Sequence, residues 1–112
     1  MSNKPVYVVF AEKRLEADFE ALKTGKFEDK QLYDSITKAI NELKKAPIFN
    51  IKIPKKLWPK DYIKKYEITN LWKYNLPRGW RLVYTIKTDE VMILCIILDW
   101  FNHKEYERKF GY

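Results

Sequence analysis

The chain has one cysteine and one histidine among its 112 residues, and that scarcity removes whole classes of chemistry. Cys95 and His103 together cannot supply the three or four ligands of the common zinc sites, so metal-free chemistry or plain binding remains, and no cofactor is expected. Cys95 lies inside the apolar run VMILCIIL (91–98), where a thiol behaves as a small buried hydrophobe. That run is the longest of its kind and falls far short of the roughly 20 residues of a membrane span, which makes it a candidate buried strand. The opening MSNKPVYVVF lacks the basic and apolar regions of a secretory signal. No internal repeat or low-complexity tract occurs. A cytoplasmic protein without a membrane partner is expected.

Hydrophobic residues make up 46% of the chain and charged residues 33%, the balance of an ordered globular protein rather than a disordered tail. At this length residues 1–112 make one domain with one core. The net charge of +7 is unevenly spread. Residues 12–46 hold eight basic and eight acidic residues, which cancel, whereas residues 52–81 hold nine basic residues against Asp61 and Glu67. A field concentrated in one segment points to a polyanion, most often nucleic acid; a lysine-rich solvated surface is the plain alternative.

The hydrophobic spacing predicts the elements. VYVVF (6–10) reads as a strand. Leu15, Phe19 and Leu22 then recur at helical spacing up to Gly25, and Leu32, Ile36, Ile40 and Leu43 form a second stripe ending before Pro47. Residues 47–66, with Pro54 and Pro59 among lysines, read as a long irregular basic connection. Alternation returns in LWKYNL and WRLVYTIK, which are separated by the PRG turn (77–79), and VMILCIIL follows a second turn at 88–90. The fold class is therefore α+β with the order β-α-α-β-β-β. A two-helix hairpin packs on one face of an antiparallel sheet, the first strand lies beside the last, and a short C-terminal helix or ordered tail follows.

Period-two alternation makes a further assignment. If Trp72, Tyr74, Trp80, Leu82, Tyr84 and Ile86 face the helices, Lys73 and Arg81 lie together on the opposite, open face. The tail DWFNHKEYERKFGY can bring His103 and Tyr106 to the same surface. Histidine can transfer protons near neutrality, and tyrosine can donate a proton or stack on a base. Each residue also has a structural reading. Arg81 can pair with Glu67 or Asp99, His103 can cap or support the tail, and Tyr106 can plug the core with Phe101 and Phe110. Lys73 can be a solvated strand lysine, and Trp58 and Trp72 can be core residues rather than stacking platforms.

The segment RGWRLVYTIKTDEVMILCIILDWFNHKEYERKF (78–110) resembles the RelE/ParE toxin superfamily, in which an aromatic–Arg–Leu–x–Tyr strand precedes an apolar strand and a terminal His-x-x-Tyr element. The tail HKEYE is most similar to the HigB-type branch. The resemblance implies a cytoplasmic toxin held in check by a co-expressed antitoxin protein and cleaving messenger RNA on the ribosome. The implied reaction needs no metal: the ribose 2′-hydroxyl attacks the adjacent phosphate. By resemblance Arg81 is the phosphate stabiliser, Lys73 a basic residue of the preceding strand, and His103 and Tyr106 the proton-transfer and stacking residues. Lys52, Lys55, Lys56, Arg78 and Lys104 are the candidate RNA-binding cations around them. ParE-like relatives, which inhibit DNA gyrase, and a non-catalytic RNA-binding module are the alternatives. An exposed edge strand would permit a homodimer.

Overall fold

The β-branched and aromatic run VYVVF forms strand β1 (Val6–Phe10) in a computed structural model that describes residues 4–111. Helix α1 (Lys13–Ala21) continues as a 3-10 turn to Thr24, and α2 (Phe27–Lys45) completes the helical pair. Leu15 and Phe19 of α1 and Leu32, Ile36, Ala39 and Leu43 of α2 are buried, one stripe of each helix, as their spacing requires. The stripes cover one face of a five-stranded sheet made of β2 (Ile51–Lys52), β3 (Trp72–Asn75), β4 (Arg81–Thr88), β5 (Ile93–Phe101) and β1. All six alternating residues expected to face the helices, Trp72, Tyr74, Trp80, Leu82, Tyr84 and Ile86, pack in this core. The fold is α+β.

The sheet order is β1-β5-β4-β3-β2. β1 lies beside the last strand but runs parallel to it, with Val8 opposite Cys95, while the remaining pairs are antiparallel. The sheet is thus mixed rather than wholly antiparallel. Most of the chain separates β1 from β5, so no tight turn imposes a direction on that pair.

Two further expectations are corrected. Residues 47–66 are not irregular: they hold edge strand β2, a 3-10 turn at Lys55–Leu57 and helix α3 (Lys60–Tyr66). Pro59 stands just before α3 with extended backbone, where its missing N–H costs nothing, and Tyr62 and Tyr66 supply a stripe four residues apart. The second face of the sheet is also covered rather than open. Tyr62 of α3 and Tyr106 and Phe110 of α4 (His103–Phe110) bury Val83, Leu98 and Phe101. Because β5 is apolar on both faces over Ile93–Leu98, the second face needs its own cover. A reciprocal cap starts α4: Glu105 N–H donates to Asn102 Oδ1 (2.8 Å) and Asn102 N–H donates to Glu105 Oε1 (2.9 Å). Among the described residues, no helix is long and apolar enough to cross a membrane.

Candidate nucleic-acid interface

On the second face, Lys73 stands opposite Val83, Asn75 opposite Arg81, and Arg81 opposite Phe101. Helix α4 folds back over this row and inserts Tyr106 between the cations and the core. Lys73 Nζ lies 5.0 Å and Arg81 Cζ 5.6 Å from the centre of the Tyr106 ring. The same ring stacks on Phe110 at 4.5 Å. The negative face of an aromatic ring attracts a cation at this range. Lys73, Arg81 and Tyr106, singled out separately in the sequence, are therefore one cluster.

Arg81 is fixed from below. Its Nη1 donates to the carbonyls of Gly79 (2.6 Å) and Trp80 (3.4 Å). The turn that presents these carbonyls has two successive left-handed residues, Arg78 (φ 60°) and Gly79 (φ 80°). Left-handed backbone is unfavourable for arginine, so the turn is held by its surroundings rather than by its own preference. Among the described residues no carboxylate lies within 4.0 Å of Arg81, so neither Glu67 nor Asp99 pairs with it. Its buried Nε has no hydrogen-bond partner among the described residues. Nη1 is committed to the turn and Nε is buried, which leaves Nη2 as the guanidinium nitrogen for an anion.

His103 is the first residue of α4 and sits beside the same turn: a Cβ at Gly79 would stand 3.5 Å from His103 Cβ. Its side chain is 61% exposed, with Nε2 3.5 Å from Glu107 Oε1. Capping is done by Asn102, which leaves the imidazole on the rim. Tyr106, at 3% exposure, is buried with Phe101 and Phe110. A base cannot stack on it without displacing α4, so its place is that of a platform under the cations.

The outer cations divide. Arg78, on the Gly79 turn, and Lys104, which follows His103 in α4, are exposed, and Lys55 and Lys56 are exposed on their 3-10 turn. Lys52 lies on the helix-pair face, its Nζ 5.8 Å from the Trp72 ring, and the sheet separates it from Arg81. Trp72 and Trp58 are structural, their indole N–H groups donating to Asn70 Oδ1 and to the Ile53 carbonyl. Ion pairs occur instead at Arg14, Lys23, Lys65 and Lys109. None of the seven candidate site cations has a carboxylate within 4.0 Å among the described residues.

Three features escaped the sequence reading. A groove of about 380 Å³ beside Lys73 is bordered by Phe49, which is 84% exposed. A bulge in β5 opposite Val83 and Tyr84 leaves Asp99 half-buried, and burial holds its carboxyl above the ordinary aspartate range. Close by, burial and the Asp99 charge push up the Tyr62 hydroxyl, which lacks a hydrogen-bond partner among the described residues. A cleft of about 470 Å³ opens between α3 and α4, and there the Lys109–Asp61 pair (2.8 Å) balances its own charge. No protein-family model, curated protein or solved structure matches the chain.

Proposed function

We propose that the chain is the toxin of a type II toxin–antitoxin pair, an endoribonuclease that cuts messenger RNA on the ribosome by metal-free 2′-hydroxyl attack. The observation that supports this most is the convergence of Lys73 and Arg81 on Tyr106, with His103 across the Gly79 turn and, among the described residues, no carboxylate within 4.0 Å of Arg81. Two cations gathered at one ring, neither with a carboxylate within 4.0 Å among the described residues, are suited to a phosphate.

In the reaction the 2′-oxygen attacks phosphorus and the bond to the 5′-oxygen breaks, leaving a 2′,3′-cyclic phosphate and a 5′-hydroxyl. Arg81 and Lys73 stabilise the extra negative charge of the phosphorane. His103 accepts the 2′-hydroxyl proton and returns it to the leaving 5′-oxygen. Tyr106 holds the two cations in place. Arg78 and Lys104 bind flanking phosphates. Such an enzyme works in the cytoplasm, and a cognate antitoxin with an acidic or amphipathic segment covers the cationic rim.

The test is messenger RNA cleavage on ribosomes, beside affinity for RNA across a salt series. Cleavage, with binding that weakens steeply as salt rises, is the expected result. Intact RNA with blocked gyrase would replace this reading with the ParE-like one. Salt-dependent binding without cleavage would leave a non-catalytic RNA-binding module.

A further inference from the structure

Phe49 is 84% exposed, and its neighbours Ile48 and Ile51 are 63% and 49% exposed. Three exposed apolar side chains within four residues mark a candidate contact site. The loop that carries it is pinned. Tyr84, fully buried in β4, donates its hydroxyl to the Pro47 carbonyl (2.6 Å) and accepts from Asn50 Nδ2 (3.0 Å). Both ends of residues 47–50 are thereby tied to the core, so the ring is displayed at little further ordering cost.

The groove beside Phe49 is lined by Glu42, Asn50, Ile51, Lys73 and Asn75 among others. Lys73 belongs to both places, since it borders the groove and lies 5.0 Å over the Tyr106 ring. Asn75 is the cross-strand partner of Arg81, and Ile51 that of Lys73. The groove therefore begins where the cation cluster ends. It offers an aromatic ring, a cation, and amide and carboxylate groups able to meet the polar edge of a base.

We propose that Phe49 stacks a nucleobase of single-stranded RNA, that of a nucleotide neighbouring the phosphate held by Arg81 and Lys73. The proposal rests on the RNA-cleaving reading above and adds a positioning residue to it. Stacking on an aromatic side chain tolerates any base, while Glu42, Asn50 and Asn75 can favour some bases over others.

The test uses a short 2′-O-methyl RNA, which lacks the attacking hydroxyl and so reports binding alone. Phe49→Ala is expected to weaken its binding roughly 10- to 100-fold, and Phe49→Tyr to restore it. Both variants should melt like the wild type, because the ring is exposed. Replacing each nucleotide in turn by an abasic one should reveal one position where the missing base weakens wild type but no longer weakens Phe49→Ala. If wild type cleaves RNA and Phe49→Ala binds as tightly as it does, or if the two penalties simply add at every position, Phe49 stacks no base while the cleavage reading stands. If Phe49→Ala impairs only capture of an acidic protein partner, the groove is a protein-docking surface and the proposal falls. If wild type binds no RNA at all, both readings fall together.

Discussion

The Arg81 guanidinium lies 5.6 Å from the centre of the Tyr106 ring while its Nη1 is tied to the Gly79 carbonyl at 2.6 Å. A cation fixed at both its face and one edge is already oriented when a phosphate arrives. Arg81→Ala should therefore lower RNA cleavage about 100- to 1000-fold. Arg81→Lys should recover little, since one ammonium cannot hold the turn and also present a second nitrogen to the phosphate. No buried carboxylate is stranded by either change, so the melting temperature should fall only slightly. Cleavage on ribosomes and a thermal melt are measured side by side; a deep loss of stability with cleavage intact would make Arg81 a clamp for the turn and nothing more.

Tyr106 tests the platform. Its ring is buried and stacked on Phe110 at 4.5 Å, and removing a buried aromatic ring costs about 3–5 kcal/mol. Tyr106→Ala should show that loss in denaturant unfolding and lose cleavage with it. Tyr106→Phe keeps the ring beneath Lys73 and Arg81 and should keep most of the activity. Were Tyr106→Phe to fold normally and cut nothing, the hydroxyl itself would be a proton carrier.

His103 should behave in the opposite way. Its side chain is 61% exposed and Asn102, not His103, caps α4. His103→Ala is thus expected to leave stability within about 0.5 kcal/mol of wild type. Loss of a proton carrier should cost on the order of 100-fold or more in cleavage. Unchanged cleavage in this variant would take His103 out of the mechanism.

Much of this arrangement was legible in the sequence because alternation is a strict rule. Trp72, Tyr74, Leu82 and Tyr84 had to share a face, so Lys73 and Arg81 had to share the other. The burial of Tyr106 was legible only as one of two readings, since the spacing to Phe110 fits a core helix as well as an exposed one. The all-apolar run 91–98 required cover on both its faces, but the direction of β1 and the segments that supply the second cover were not legible. Both depend on contacts between distant segments, and α3 is too short and too lysine-rich to signal a helix. Phe49 was hidden for a related reason: its exposure follows from the tie between Tyr84 and Pro47, 37 residues apart. Lys52 was misplaced because β2 pairs only two residues, Ile51 and Lys52, and so gave no alternation to read.

Asp99 carries the last prediction. Burial at the β5 bulge disfavours its charged form; the Trp100 N–H donated to Oδ1 and the nearby Arg14 and Lys109 work the other way, and Glu105 adds to the burial effect. The net pKa in the folded protein lies above the ordinary aspartate value. Between the two values the folded state binds more protons than the unfolded one. The Asp99 contribution is therefore fully present below the ordinary value and is lost as pH rises through the folded value. At neutral pH the ionised side chain is a cost. Asp99→Asn keeps an oxygen for the Trp100 N–H and removes the charge, so it should be more stable than wild type at neutral pH, with the gap closing toward acid. Glu12 and Asp89, whose carboxyls are held below the ordinary range by hydrogen bonds, bend both curves the opposite way and cancel in the difference. Denaturant unfolding of the two proteins from mildly acid to neutral pH measures that difference. A gap that stays constant with pH would mean that Asp99 is not held ionised at a cost.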